Sequence, residues 1–76
     1  MLTARETLDT YFLDTRCMLL EIAATLDRLD RAEQGGGDAA ADVRLQQIYD
    51  SLAILAQSDT TPDRAERLLN LFTDVE

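Results

Sequence analysis

Hydrophobic residues recur at helical spacing along most of the chain, and the longest such segment lies at its N-terminal end. From Ala4 to about Gln34 there is no glycine or proline to interrupt a helix. Thr3 and Glu6 have the spacing of a capping box, in which each side chain accepts a hydrogen bond from the backbone amide of the other residue. The sequence therefore predicts one long helix over about 4–34.

Two shorter helices are predicted after a glycine turn. Gly35-Gly36-Gly37 favours the left-handed backbone that ends helices, and Asp38 is a candidate N-cap. The second helix is predicted over about 39–57, beginning at Ala39 or Asp42. Its apolar stripe is formed by Leu45, Ile48, Leu52 and Leu55, joined by Tyr49 and Ala56.

The third helix follows the polar break at 58–61. Thr61-Pro62-Asp63 supplies an N-cap, a proline at the first helical position and an acid in the first turn. The helix is predicted over about 62–73, and it presents Ala65, Leu68, Leu69 and Phe72 on one face.

These elements predict an all-α protein that forms a single helical domain over 1–76. The long helix is expected to pack antiparallel against the two shorter ones as a helical hairpin or three-helix bundle. Helices two and three together are about as long as helix one, so the third helix either folds back or continues along the first. The spacing alone leaves both arrangements open.

Helix one carries two apolar faces. Successive residues of a helix are rotated by roughly 100°, which places the larger set of apolar residues on a first face. The spacing within this face resembles that of a coiled coil and favours helices packed nearly parallel in a bundle. We expect this first face to form the intramolecular core; it consists of Leu8, Tyr11, Phe12, Thr15, Met18, Leu19, Ile22, Ala23, Leu26 and Leu29. The second face lies almost opposite and consists of Leu13, Cys17, Leu20 and Ala24.

The second face predicts self-association. A helix that is apolar on two faces must bury both, and two short helices cover only one of them. Exposed apolar patches of this kind mark interfaces, and a symmetric pair is the simplest assembly that covers one. We expect a homodimer with a four-helix-type core, whose interface contains Leu13, Cys17, Leu20 and Ala24.

Charge and composition exclude several classes of chemistry and partner. Fifteen acidic against seven basic residues give a net charge of −8, which repels nucleic acids and anionic membrane surfaces. With no histidine and one cysteine, the usual metal clusters, a disulfide within the chain and histidine-based catalytic sets are ruled out. No apolar run approaches a membrane span, so we expect a cytoplasmic protein without metal or cofactor.

Carboxylates on helix one offer one remaining route to a metal site. Asp14 and Glu21 lie on the same side of the helix, and a subunit contact would bring such carboxylates together for a cation such as Mg²⁺. Solvated charges beside Arg28 and Arg31 are the simpler interpretation, because surface acids near arginines are ordinary on helices. We expect no metal at these positions.

Residues 50–52 raise an alternative function. The triplet Asp50-Ser51-Leu52, in an acidic helical chain of this size, resembles the phosphopantetheine attachment site of acyl carrier proteins. The resemblance implies a carrier protein whose prosthetic arm is attached to Ser51. That family has glycine where Ile48 stands here, and the apolar stripe places Ser51 within helix two. We therefore expect Ser51 to be a solvent-accessible, unmodified residue on the helix flank.

The function expected from the sequence is a small acidic interaction or structural module without catalytic activity. The alternative is a carrier or enzyme-accessory protein in which Ser51 carries the chemistry.

Overall fold

The computed structural model describes residues 1–34, 42–59 and 61–73, and these residues form three α-helices in chain order. The helices are α1 (Ala4–Gln34), α2 (Val43–Leu55) and α3 (Arg64–Thr73). The all-α prediction is confirmed. The chain divides into two compact units, Met1–Gly37 and Asp38–Glu76, which are described separately below.

The first unit contains α1, whose predicted bounds are confirmed. Its N-terminus has the predicted capping box: the Thr3 amide donates to Glu6 Oε1 at 2.9 Å and the Glu6 amide donates to Thr3 Oγ1 at 3.1 Å. These hydrogen bonds, the backbone one first, lower the pKa of Glu6. The helix therefore begins where two otherwise unpaired amides find acceptors.

In the second unit, α2 begins after Asp42. The Asp42 side chain accepts a hydrogen bond from the Arg44 amide at 2.9 Å, and its backbone is extended, as an N-cap requires. The Arg44 guanidinium also donates to both Asp42 oxygens, at 3.0 and 2.7 Å. Of the two predicted starts, the one at Asp42 lies within the described residues. The predicted glycine turn at Gly35–Gly37, the candidate cap Asp38 and the start at Ala39 lie outside them.

The C-terminal bound of α2 differs slightly from the prediction of 57. The Ala56 amide still donates to the Leu52 carbonyl at 2.9 Å, but the Gln57 amide turns to the Ile54 carbonyl at 3.2 Å. A bond to the third residue back closes a tighter turn than the α-helical one, which is typical of the end of a helix. The helix therefore ends at Leu55, with Ala56 as its C-cap.

The start of α3 was predicted two residues too early. Pro62 lies in a turn closed by a bond from the Asp63 amide to the Thr61 carbonyl at 2.7 Å. The Asp63 carbonyl accepts the bond from the Arg67 amide at 3.0 Å, so Asp63 occupies the capping position. The helix consequently begins at Arg64, because the turn uses the residues that were predicted to start it.

Within this unit, α2 and α3 form an antiparallel hairpin held by contacts at both ends. Near the loop, Arg64 donates to the Gln57 carbonyl at 2.6 Å and Arg67 donates to the Gln57 side chain at 3.1 Å. At the opposite end, the Gln47 amide group donates to the Leu71 carbonyl at 3.3 Å. The start of α2 thus lies beside the end of α3.

No helix in the part of the chain described above combines the length and apolarity that crossing a lipid bilayer requires.

Candidate interaction surfaces

The described residues contain no buried apolar side chain. The two residues that are buried, Gln47 and Ser51, are polar. The apolar side chains of the described residues are thus half-buried or exposed, and contiguous exposed apolar surface of this kind marks sites that bind a partner.

On α1, the predicted core face is exposed in the single chain. Its larger residues in the first half of the helix have more than half of their surface accessible, and Ile22, Leu26 and Leu29 are half-buried. The exposed members are Leu8, Tyr11, Phe12, Met18 and Leu19. Packing of this face against the two shorter helices stays a prediction.

The second face of α1 is also accessible. Leu13 is 64% exposed and Leu20 is 54% exposed, and Cys17 is a free, exposed cysteine. Ala24 is half-buried. The helix places all four predicted interface residues on one side, and their participation in an interface stays a prediction.

A shallow depression lies at the C-terminal end of this second face. It is open to solvent and is lined by Leu20, Glu21, Ala24, Thr25 and Arg28. The depression exists because the short side chain of Ala24 is surrounded by longer neighbours one turn before and after it. In coiled coils, a hole of this kind receives one side chain of a facing helix.

The charged residues of α1 flank both faces. Among the described residues, the one ion pair is that of Arg44 with Asp42 in the second unit, and it does not involve α1. Within the described residues, Asp14, Glu21, Arg28 and Arg31 therefore form no ion pair, as the interpretation of solvated charges has it. Nor does any group of three or more acidic or cysteine side chains within 1–34, 42–59 and 61–73 have the arrangement of a metal site.

The hairpin of the second unit is packed through polar groups. Gln47 is 7% exposed and Ser51 is 6% exposed, and the Ser51 hydroxyl donates to the Gln47 carbonyl at 2.8 Å. The mid-helix position predicted for Ser51 is confirmed, but its predicted solvent access is wrong. The small side chain of Ser51 lies on the side of α2 that faces α3, so the hydroxyl is enclosed and already bonded.

The predicted packing faces of α2 and α3 are also rotated in the structure. On α2, Ile48 and Leu52 are half-buried and Leu55 is exposed, while Gln47 and Ser51 occupy the centre of the contact. On α3, the half-buried residues are Arg64, Arg67, Leu68 and Leu71, and the expected Ala65, Leu69 and Phe72 are exposed. The two arginines donate to Gln57 from this side of α3.

This rotation creates an apolar side on the hairpin. Two antiparallel helices turn in opposite senses when they are viewed from one end. Residues that follow the contact residues by one position therefore lie on the same side of the hairpin in both helices. By this geometry the apolar side includes Leu52, Leu69 and Phe72, and Leu69 is 68% exposed. Sequence reasoning missed it because periodicity locates an apolar stripe without identifying the neighbour that the stripe contacts.

The comparisons with known proteins bear on none of these surfaces: no protein-family model, no curated protein and no solved structure matches the chain.

Proposed function

We propose that this chain is a small helical interaction module that works as a homodimer and has no catalytic activity of its own. The observation that carries the proposal is the exposure of large apolar residues on two opposite faces of α1. One packing surface can bury only one face of a helix, so two packing surfaces are needed to bury both faces of α1.

The two surfaces have different origins in this proposal. The first face of α1 packs antiparallel on the apolar side of the α2–α3 hairpin, which completes a three-helix bundle. The second face packs on α1 of another copy, which gives the dimer a four-helix-type core. Both contacts bury leucines that are exposed in the single chain, and burial of one such side chain stabilises a protein by about 1.5–3 kcal/mol.

The acidic outer surface belongs to the same proposal. A net charge of −8 keeps the assembly soluble and directs it toward a protein partner rather than nucleic acid. A cytoplasmic location fits a chain of this composition, as expected from the sequence.

The dimer is tested by multi-angle light scattering on the full chain at tens of micromolar. The wild type is expected at twice the chain mass of 8.5 kDa, and Leu20→Glu at the monomer mass, because it places a charge in the apolar second face. Ala53→Glu is the matched control: it adds the same charge at an exposed position of α2 and leaves the dimer intact. A monomeric wild type, or a dimeric Leu20→Glu, contradicts the proposal.

The bundle contact is tested by the stability of a variant in the hairpin. If the apolar side is covered, Leu69→Glu lowers the free energy of unfolding by at least about 2 kcal/mol in urea titrations. Were Leu69 as exposed in solution as in the single chain, the change would stay within about 0.5 kcal/mol, as for Ala53→Glu.

A further inference from the structure

The second face of α1 alternates large and small side chains, and the order is not symmetric. From the N-terminal end it reads Leu13, Cys17, Leu20 and Ala24. In a parallel, in-register pair each residue meets its own copy, so Ala24 lies against Ala24 and the depression around it faces a second depression. Such a layer leaves a void, and voids forfeit packing contacts.

An antiparallel pair removes this mismatch. With the centre of the apolar segment on the two-fold axis, Leu13 of one copy lies opposite Ala24 of the other, and Cys17 lies opposite Leu20. Every layer then joins a larger side chain to a smaller one, which is the pattern that fills an interhelical space. The depression lined by Leu20, Glu21, Ala24, Thr25 and Arg28 receives the Leu13 side chain.

Charged residues beyond the two ends of the second face also favour the antiparallel pair. Continuing the spacing outward adds Glu6 and Thr10 at one end and Asp27 and Arg31 at the other. A parallel pair sets Glu6, Asp27 and Arg31 each against its own copy, three contacts of like charge. The antiparallel pair sets Glu6 opposite Arg31 and Thr10 opposite Asp27, so like charges no longer meet within the stripe.

The flanking acids oppose this arrangement in part. The antiparallel register brings Asp14 of one copy near Glu21 of the other, and Asp9 near Asp30. These positions border solvent, where repulsion is screened by water and salt, whereas the stripe itself lies in the contact. Packing and charge along the second face of α1 therefore determine that the two helices run antiparallel.

We propose that a second copy of this chain docks antiparallel on the second face of α1, with Leu13 of each copy seated on Ala24 of the other. The proposal rests on the proposed function, since it names the partner surface of that dimer. Its register places the two Cys17 residues off the two-fold axis, each beside Leu20 of the other copy.

Disulfide mapping tests the direction on the full-length chain. In a Cys17→Ser background, the double variant Leu13→Cys, Ala24→Cys is oxidised gently and digested with trypsin, which cleaves after Arg16 and separates the two new cysteines. Residues 13 and 24 of one helix are roughly 16 Å apart, so they cannot bridge within a copy. The antiparallel dimer yields peptide 6–16 linked to peptide 17–28 as the main product.

The single variants Leu13→Cys and Ala24→Cys, each in the Cys17→Ser background, are the controls. Neither forms a dimer disulfide in the antiparallel register, because equivalent residues lie roughly 16 Å apart along the axis. A parallel dimer instead links each variant to itself. Mixing the two single variants restores the cross-link only in the antiparallel case.

Light scattering of the same reduced samples separates the possible failures. A dimer with self-linked peptides, or one with no cross-link, overturns the antiparallel docking and leaves self-association standing. A monomer overturns both. A dimer in which the linked 6–16 and 17–28 peptides predominate supports both.

Discussion

The Gln47 side-chain amide donates a hydrogen bond to the backbone carbonyl of Leu71, 24 residues further along the chain, at 3.3 Å. Leu71 lies in the last turn of α3, where helix carbonyls have no intrahelical partner. One buried side chain of α2 thus satisfies the end of α3, and it holds the end of the hairpin that lies away from the loop.

Replacing this residue tests how much the bond contributes. Gln47→Ala is expected to lower the free energy of unfolding by about 1–2 kcal/mol, because it removes the bond and leaves the Leu71 carbonyl without it. Gln46→Ala is the control, since Gln46 is exposed and bonds Asp50 of its own helix at 2.9 Å. Urea unfolding monitored by circular dichroism measures both, and equal effects would count against an interhelical role for Gln47.

The N-cap of α2 predicts a dependence of helicity on acid. Hydrogen bonds from Arg44, side-chain first, lower the pKa of Asp42 to about 2. A depressed pKa in the folded state means that the stabilisation is present above the unfolded value near 3.8 and is lost as the pH falls toward about 2. Glu6, whose pKa is also lowered by Thr3, acts in the same direction on α1.

Helical signal should therefore be constant from about pH 7 to about pH 5 and decrease between about pH 4 and about pH 2. Asp42→Asn keeps a capping oxygen but cannot titrate, so its decrease with acid should be smaller than that of the wild type. Asp42→Ala should have lower helicity even at neutral pH. A wild-type profile superimposable on that of Asp42→Asn would remove Asp42 from the explanation.

Local signals in the sequence were sufficient for the helices and insufficient for their contacts. The capping box of Thr3 and Glu6 is a short-range feature, and it marks the start of α1 as predicted. Asp42 caps α2 by an equally local bond to the Arg44 amide, although the sequence offered Asp42 only as one of two possible first residues of the helix. The burial of Ser51 depends on the rotation of α2 against α3, and bonds from Arg64 and Arg67 to Gln57 accompany that rotation. Such bonds join residues seven and ten positions apart across a turn, and no periodicity encodes them.

Burial of Ser51 makes a prediction about modification. A phosphopantetheine arm requires a hydroxyl that a transferase can reach, whereas this one is enclosed and bonded to the Gln47 carbonyl. Intact mass after co-expression with a phosphopantetheinyl transferase should equal that of the unmodified chain. A mass increase that disappears in Ser51→Ala would instead establish the carrier function.

Charge predicts how the dimer responds to salt. Each chain carries a net charge of −8, and the antiparallel register adds the close approach of Asp14 to Glu21 across the interface. Both repulsions are screened as ionic strength rises, while apolar burial is retained. Screening also weakens the attraction between Glu6 and Arg31. The dimer contains two such contacts, whereas the repulsion acts between the full net charges of the two chains.

The dissociation constant should therefore fall by roughly three- to tenfold between 20 mM and 500 mM sodium chloride, because screening lowers the net repulsion. Sedimentation velocity at several protein concentrations measures it, and an equivalent osmolality of a neutral solute serves as the control. Asp14→Asn should reduce the salt dependence, since it removes one of the acids at the interface. Weaker association at high salt would mean that ion pairs, rather than the apolar second face, hold the two copies together.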